Sequence, residues 1–227
     1  MITAIETVRK RIQTAACNCG RHERDIHLVA VSKTVPAERV REAALAGAQI
    51  MGENYIQEAR EKIEALADLE LSWHFIGHLQ RNKAKYAVRL FDLIHSVDSI
   101  RLAREIDKQA AKAGKQQAIL IQVNTGKEAS KSGVYEEDAL ALAREAAHME
   151  HIAVKGLMTL PPYFNAPEKV RPYFRALREL RDRIRSAGLP GIEMAELSMG
   201  MTGDFETAIE EGATMVRIGT AIFGERP

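Results

Sequence analysis

The sequence predicts an α/β fold, a single (β/α)8 TIM barrel with an extra N-terminal helix, formed by one domain over residues 1–227. Eight strand-like runs alternate with helical patterns along the chain, which is the element order of such a barrel. Several runs are almost continuously apolar, as expected for parallel strands that are covered on both faces. No Pro-, Gly- or Ser-rich linker divides the chain. A doubly wound open sheet is the main alternative.

The first predicted element is an amphipathic helix of mixed charge, MITAIETVRKRIQTA. It lacks the apolar centre and the small-residue cleavage site of a signal peptide. Eight predicted strands follow it, at residues 27–33, 49–54, 72–77, 92–97, 118–124, 153–159, 193–199 and 215–219.

The first helices between these strands have recognisable ends. Pro36 suits the first position of a helix, and Gly47 follows the last residue of its periodic pattern. Asn54 stands three residues before Gln57, which resembles the start of a capping box.

The later helices are delimited in the same way. Asp98 or Ser99 is suited to cap the helix that Gly114 ends. A helix over 204–211 closes at Gly212. In the helix over 168–187, apolar residues recur at spacings of three and four and predict one buried stripe, formed by Val170, Phe174, Leu177, Leu180 and Ile184.

Composition bears on several classes of protein. The 227 residues are 46% apolar and 28% charged, with a net charge of +1, so there is no basic surplus for nucleic acid. No stretch has the apolar length of a membrane span. Cys17 and Cys19 have only His22 as a nearby zinc ligand, so we expect free thiols and no metal site. We expect a soluble, cytoplasmic monomer without nucleic-acid or membrane partners.

The most informative stretch is LVAVSKT at residues 28–34, where a strand of buried character ends in Lys33. In a barrel the active site forms at these strand ends. Apolar surroundings disfavour an ammonium ion, and a neutral amine attacks an aldehyde to give a Schiff base. Lys33 is therefore a candidate for covalent attachment of a ligand. A solvated lysine at a strand end is the alternative.

Two glycine-bearing loops follow predicted strands seven and eight, where barrels often bind phosphate. They run from Ser198 to Gly203 and from Arg217 to Gly224. Glycines let backbone N–H groups approach an anion, and hydroxyls add donors. Together with Lys33 they predict an aldehyde that carries a phosphate, either pyridoxal 5′-phosphate (PLP) or a sugar phosphate in an aldolase. Arg217 would hold a pyridine nitrogen unprotonated or form a plain salt bridge.

Other polar residues have two interpretations each. His74, in the third predicted strand, is either a packed, hydrogen-bonded histidine or a proton-transfer group. Lys127 and Lys131 lie in the polar loop 124–135 after strand five. They either compete for the aldehyde from a mobile lid or are solvated.

Seven signatures occur in order, VAVSKT, GENYIQE, WHFIGHLQRNK, HSVDS, GLMTL, LSMGMTGDF and VRIGTAIFG. With them the chain resembles the pyridoxal phosphate homeostasis protein family from near residue 5 to residue 225. The resemblance implies a barrel like the N-terminal domain of alanine racemase, with PLP as cofactor. By this likeness Lys33 holds PLP as a Schiff base, Asn54 lies beside it, and Arg217 faces the ring nitrogen. The phosphate would be held by Ser198, Gly219 and Thr220.

Two functions of different classes follow from this resemblance. One is a non-catalytic protein that stores, buffers or delivers PLP within the cell, with PLP-dependent apoenzymes as the candidate recipients. The other is a racemase-like enzyme with weak activity, which needs a second base opposite Lys33. Alanine racemase takes that base from a further domain for which this chain has no room, and Tyr55 and His74 are the conceivable substitutes. We expect the carrier, with no catalytic residues; an aldolase is a weaker third reading.

Overall fold

The computed structural model describes residues 1–225 and contains a closed barrel of eight parallel strands in the order β1 to β8. This confirms the predicted barrel and excludes the open sheet. The strands are β1 (His27–Val31), β2 (Ile50–Glu53), β3 (Ser72–Phe75), β4 (Leu93–Val97), β5 (Gln117–Val123), β6 (Ile152–Thr159), β7 (Ile192–Ser198) and β8 (Met215–Ile218).

Helices surround the barrel, because each connection between parallel strands has to cross back over its outer face. They are α1 (Ile2–Asn18), α2 (Ala37–Leu45), α3 (Ile56–Ala65), α4 (Ala84–Leu90), α5 (Ile100–Ala113), α6 (Glu136–Ala146), α7 (Arg171–Ser186), α8 (Phe205–Glu210) and α9 (Thr220–Phe223). The predicted stripe of α7 is buried from Val170 to Ile184.

The extra N-terminal helix has a definite place in this ring. The helix that follows β8, α9, has four residues, which is about one turn. Helix α1 packs against α8, α9 and α2, so it fills the eighth position of the ring. Its buried residues Ile5, Val8 and Ile12 recur every three or four positions, which is the spacing of one helix face. The N-terminal helix therefore completes the outer layer.

The barrel interior is filled by a small apolar cluster, separate from the larger core between strands and helices. Its buried members come from five strands and are Val29, Leu93, Leu120, Met158 and Met215. Above this apolar layer the interior becomes polar towards the carboxyl ends of the strands, where the candidate site residues lie.

Several element ends differ from the sequence prediction. The strands stop early enough to leave Lys33, Asn54 and Gly219 just beyond them. The capping role of Asn54 is wrong, because α3 begins at Ile56 with Tyr55 as its N-cap and without a side-chain cap. The prediction for α5 is confirmed. The Leu102 N–H donates to Ser99 Oγ over 3.3 Å, and Gly114 ends the helix in the left-handed conformation at φ 64°.

Candidate functional site

The six residues predicted for the site lie at the carboxyl ends of four strands that are neighbours in the barrel, β7, β8, β1 and β2. They are Ser198 on β7, Arg217 on β8, Gly219 and Thr220 after β8, Lys33 after β1 and Asn54 after β2. Residues far apart in sequence thus share one half of the barrel mouth.

Lys33 is half-buried and stands between a buried and an exposed neighbour. The preceding residue, Ser32, is fully buried, and the following residue, Thr34, has the left-handed conformation at φ 63°. The loop after β8 runs along the end of β1, because a Cβ placed on Gly219 would lie 3.5 Å from Val31. The Gly219 backbone therefore borders the strand that leads into Lys33.

Asn54 carries a buried polar atom that has no hydrogen-bond partner in the described part of the chain. Its Oδ1 is buried and accepts no hydrogen bond from any of residues 1–225, which is rare for a buried amide oxygen. Its backbone is pressed against the loop after β3, since a Cβ on Gly77 would lie 2.4 Å from the Asn54 carbonyl oxygen. Asn54 is thus held firmly while its side-chain oxygen lacks a donor.

Arg217 lies inside the barrel and bonds to neutral groups. Its Nη1 donates to Ser198 Oγ over 2.6 Å, and its Nη2 donates to the Thr159 carbonyl over 2.9 Å. Burial lowers the pKa of Arg217 to about 10, partly opposed by the negative charge of Asp204. The guanidinium is still charged at neutral pH, and its hydrogen bonds within residues 1–225 go to a hydroxyl and a carbonyl oxygen instead of a carboxylate.

Two buried histidines continue this hydrogen-bond chain. His95 Nδ1 lies 2.9 Å from Ser198 Oγ, and His95 Nε2 lies 3.0 Å from His74 Nδ1. Burial lowers the pKa of His74 to about 4. Burial, His74 and Arg217 hold the pKa of His95 well below its ordinary value. Both imidazoles are therefore neutral at pH 7.

The donor directions in this chain follow from the fact that a guanidinium can only donate. Each atom is satisfied when the Ser198 hydroxyl accepts from Arg217 and donates to His95 Nδ1. The His95 Nε2–H then donates to His74 Nδ1. His74 is accordingly packed and hydrogen-bonded, the first of its two interpretations. Sequence reasoning missed His95, whose only signal is a histidine within a predicted buried strand, after the apolar residues Leu93 and Ile94.

The loop 124–135 lies on the other half of the mouth. Lys131 Nζ donates to the Pro161 carbonyl over 2.9 Å and lies 2.8 Å from Glu128 Oε1. Lys127 is exposed, with its Nζ 3.7 Å from Glu137 Oε2. Lys131 therefore ties this loop to the loop after β6.

Among residues 1–225, no group of three or more His, Cys, Asp or Glu side chains comes together in a way that could hold a metal ion. Cys17 and Cys19 are free thiols. None of the helices in this part of the chain is long and apolar enough to cross a membrane.

Comparison with known proteins places the chain in a family. Residues 5–227 match the family described as "Alanine racemase, N-terminal domain". The chain is 50% identical over 222 residues to the pyridoxal phosphate homeostasis protein of Aquifex aeolicus, covering 98% of this chain and 96% of that protein.

Solved structures show the same relationship. PipY of Synechococcus elongatus PCC7942, with PLP bound, is 37% identical and superposes with a TM-score of 0.82 over 88% of this chain and 93% of that one. Alanine racemase from Corynebacterium glutamicum, at 19% identity and a TM-score of 0.73, shares the fold over all of this chain and 62% of its own. The chain belongs to the alanine racemase N-terminal domain family and, within it, to the pyridoxal phosphate homeostasis proteins.

Proposed function

We propose that this protein binds pyridoxal 5′-phosphate at Lys33 and acts in intracellular PLP homeostasis by storing, buffering or delivering the cofactor. The proposal depends mainly on one observation, that four adjacent strand ends bring together Lys33, two glycine loops and the Asn54 Oδ1, which has no hydrogen-bond partner among residues 1–225. The homeostasis proteins that this chain resembles, and the PLP-bound PipY structure, support the same ligand.

The residues present fit the cofactor, which supplies an aldehyde that condenses with an amine, an electron-withdrawing ring and a phosphate. Lys33 offers the amine, and the buried Asn54 Oδ1 offers an acceptor for a donor group of the ligand. The charged Arg217 disfavours a proton on the pyridine nitrogen. Gly219 and Thr220 stand at the start of α9, where the first N–H groups have no acceptor inside the helix.

Ser198, at the carboxyl end of β7, is the last of the six proposed cofactor-binding residues. Its hydroxyl is shared between Arg217 and His95, so it fixes the direction of the guanidinium. We propose that Ser198 borders the phosphate in that position. All six residues then contribute to binding, and none acts as a general acid or base.

Two observations support a non-catalytic role. Racemisation requires a second base, and the two conceivable ones are badly placed for it. Tyr55 is 58% exposed at the start of α3. His74 is neutral, and it lines a cavity of about 340 Å3 with His27 and Asp92, which lie at the amino ends of the strands, opposite the proposed site. We propose PLP-dependent apoenzymes as the recipients of the cofactor and a monomer as the working form.

The first test is chemical trapping of the cofactor. Protein loaded with PLP is reduced with borohydride and digested, and mass spectrometry locates the phosphopyridoxyl group. We expect it on Lys33 in the wild type and in the control variant Lys127→Ala, and none at this position in Lys33→Ala. Equal labelling of other lysines in Lys33→Ala, with an unchanged visible absorption band, would refute the assignment.

A second test separates the carrier from the enzyme. The PLP-loaded protein is incubated with a panel of L-amino acids, and chiral chromatography measures the D-isomers. We expect no rapid turnover, and we expect PLP to reach an apoenzyme faster than it is released into solution. Rapid racemisation of any one amino acid would overturn the non-catalytic proposal.

A further inference from the structure

A buried charged cluster lies directly behind Lys33 and consists of Ser32, Glu53, Glu58 and Lys62. The Lys62 side chain, on α3, is only 6% exposed, which is rare for lysine. Its Nζ lies 2.5 Å from the Ser32 carbonyl oxygen, 2.8 Å from Glu53 Oε1 and 2.6 Å from Glu58 Oε1. All three ammonium donors are therefore used.

The cluster holds the main chain on both sides of Lys33. On one side, the Ser32 carbonyl accepts from Lys62, and the Ser32 hydroxyl donates to Glu53 Oε1 over 2.6 Å. On the other side, the Thr34 N–H donates to the Glu58 carboxylate. Glu58 and Lys62 are one turn apart on α3 and bonded to each other. One pair of side chains thus anchors both neighbours of Lys33.

The conformation of Thr34 shows why such an anchor is needed. A φ of 63° is unfavourable for a β-branched residue. Without a bond to its N–H group, the turn after Lys33 would relax towards an ordinary extended or helical conformation. The lysine side chain would then point in a different direction.

Stability alone is a poor explanation for the cluster. Burying an ion pair brings little net stabilisation, and Glu53 Oε2 is buried with no hydrogen-bond partner among residues 1–225. Burial raises the pKa of Glu53 despite its bonds to Lys62 and Ser32. The same helix carries a second pair with i,i+4 spacing, Arg60 and Glu64, which is exposed and joined by a hydrogen bond of 2.9 Å. An ion pair on the exposed face of α3 can therefore form without burial, so the stability of the helix does not explain why the Glu58–Lys62 pair is buried.

We propose that Lys62 and Glu58 are positioning residues, which fix the main chain on both sides of Lys33 so that its amine is presented to the cofactor. This inference rests on the proposed function for the identity of the ligand. The anchoring itself is a property of the protein without ligand and is tested separately.

The decisive variant is Glu58→Ala, because the Glu58 side chain is 26% exposed and we expect its removal to leave the fold intact. Hydrogen–deuterium exchange of the unloaded protein should show at least tenfold faster exchange at the Thr34 amide. Borohydride trapping across a PLP titration should require at least tenfold more PLP for half-labelling of Lys33. Glu58→Gln, whose amide oxygen still accepts from Thr34, should recover both values. The matched control Glu64→Ala should equal the wild type.

A second pair of variants separates positioning from folding. Lys62→Met leaves Glu53 without its cation, and circular dichroism reports whether the protein still folds. Glu53→Gln with Lys62→Met removes both charges and should recover stability. It should still label Lys33 poorly, since the Ser32 carbonyl stays without its donor.

The outcomes distinguish the two proposals. Normal exchange at Thr34 and wild-type labelling in Glu58→Ala overturn the positioning role while leaving Lys33 as the PLP site. Wild-type protein that never labels at Lys33 refutes the proposed function, whereas the exchange experiment still decides whether Glu58 anchors the turn.

Discussion

Ser198 lies between a charged guanidinium and a neutral imidazole. It therefore contributes to the buried hydrogen-bond chain as well as to the proposed phosphate site. Its Oγ is 2.6 Å from Arg217 Nη1 and 2.9 Å from His95 Nδ1, with no exposure to solvent. Thr220 is exposed at the start of α9. A substitution at Ser198 should therefore mainly change the stability of the fold, and a substitution at Thr220 should mainly change the affinity for PLP.

We expect Ser198→Ala to lower the free energy of unfolding by about 1–3 kcal/mol, because two buried groups lose their shared partner. Thr220→Ala should stay within about 0.5 kcal/mol of the wild type while requiring several-fold more PLP for half-saturation. Urea unfolding and PLP titration measure the two effects. A stable Ser198→Ala variant would contradict the hydrogen-bond chain.

The neutral histidines predict how stability depends on pH. The pKa of His74 is about 4 in the folded protein, against about 6.5 in an unfolded chain. The unfolded state therefore binds a proton first as pH falls, so this stability is complete above pH 6.5 and is lost progressively down to pH 4. The loss from His74 is about 3 kcal/mol at the acid end, and His95 adds to it in the same direction.

His74→Gln should flatten this pH dependence, since glutamine keeps a hydrogen-bonding group and does not titrate. Urea unfolding at intervals between pH 7.5 and 4.5 measures the slope. The control is His148→Gln, at an exposed position, for which we expect the wild-type slope. Identical slopes in wild type and His74→Gln would show that His74 is not held neutral by the fold.

At the scale of elements, the contact between β6 and β7 allows no side chain at Gly156. This residue pairs with Glu196 where the strand register shifts. A Cβ on Gly156 would lie 1.9 Å from the Glu196 carbonyl oxygen, which is far inside any allowed contact. Strand β7 ends in Ser198 and β6 ends in Thr159, so this close approach sets the positions of two groups that contact Arg217.

We expect Gly156→Ala to destabilise the protein by at least ~3 kcal/mol, since the strands must separate to admit the methyl group. Gly203→Ala is the control, because a Cβ there meets nothing within 4 Å. Thermal unfolding followed by circular dichroism compares the two variants. Equal melting temperatures would contradict the close packing of β6 on β7.

For the whole molecule, barrel closure is what creates the site. Strand β8 pairs with β1, which places Arg217, Gly219 and Thr220 beside the end of the strand that leads to Lys33. Helix α1 packs against α8, α9 and α2 and covers the outside of this closure, where α9 is short. Because the site exists only in the closed barrel, a ligand that binds there should stabilise the whole folded protein.

We expect PLP at 100 times its dissociation constant to stabilise the folded protein by about 2.7 kcal/mol. For a chain of this length that raises the melting temperature by roughly 5–10 °C. Differential scanning calorimetry measures the shift, with pyridoxine as the control ligand because it lacks both aldehyde and phosphate. Lys33→Ala should lose most of the shift, and a full shift in that variant would argue against attachment at Lys33.

Much of this architecture was predictable from local pattern. The strands, the stripe of α7 and the end of α5 at Gly114 each depend on neighbours within a few residues. The order of the strands then places Lys33 and the two glycine loops at one end of the barrel. The resemblance to a known family added the identity of the cofactor, which residue spacing had left open between PLP and a sugar phosphate.

Lys62 and His95 were not predictable in this way. Lys62 lies in the pattern YIQEAREKIEALA, where a lysine among alternating charges indicates an exposed face. Only the packing of α3 against β2, beside the Ser32 carbonyl, turns it inward. His95 is 103 residues from Ser198 in the chain. By itself the sequence determined the barrel, its strand ends and the candidate lysine, because these follow from short-range periodicity. The partners of buried polar groups were decided by the tertiary structure alone, because closure of the barrel chooses which distant side chains meet.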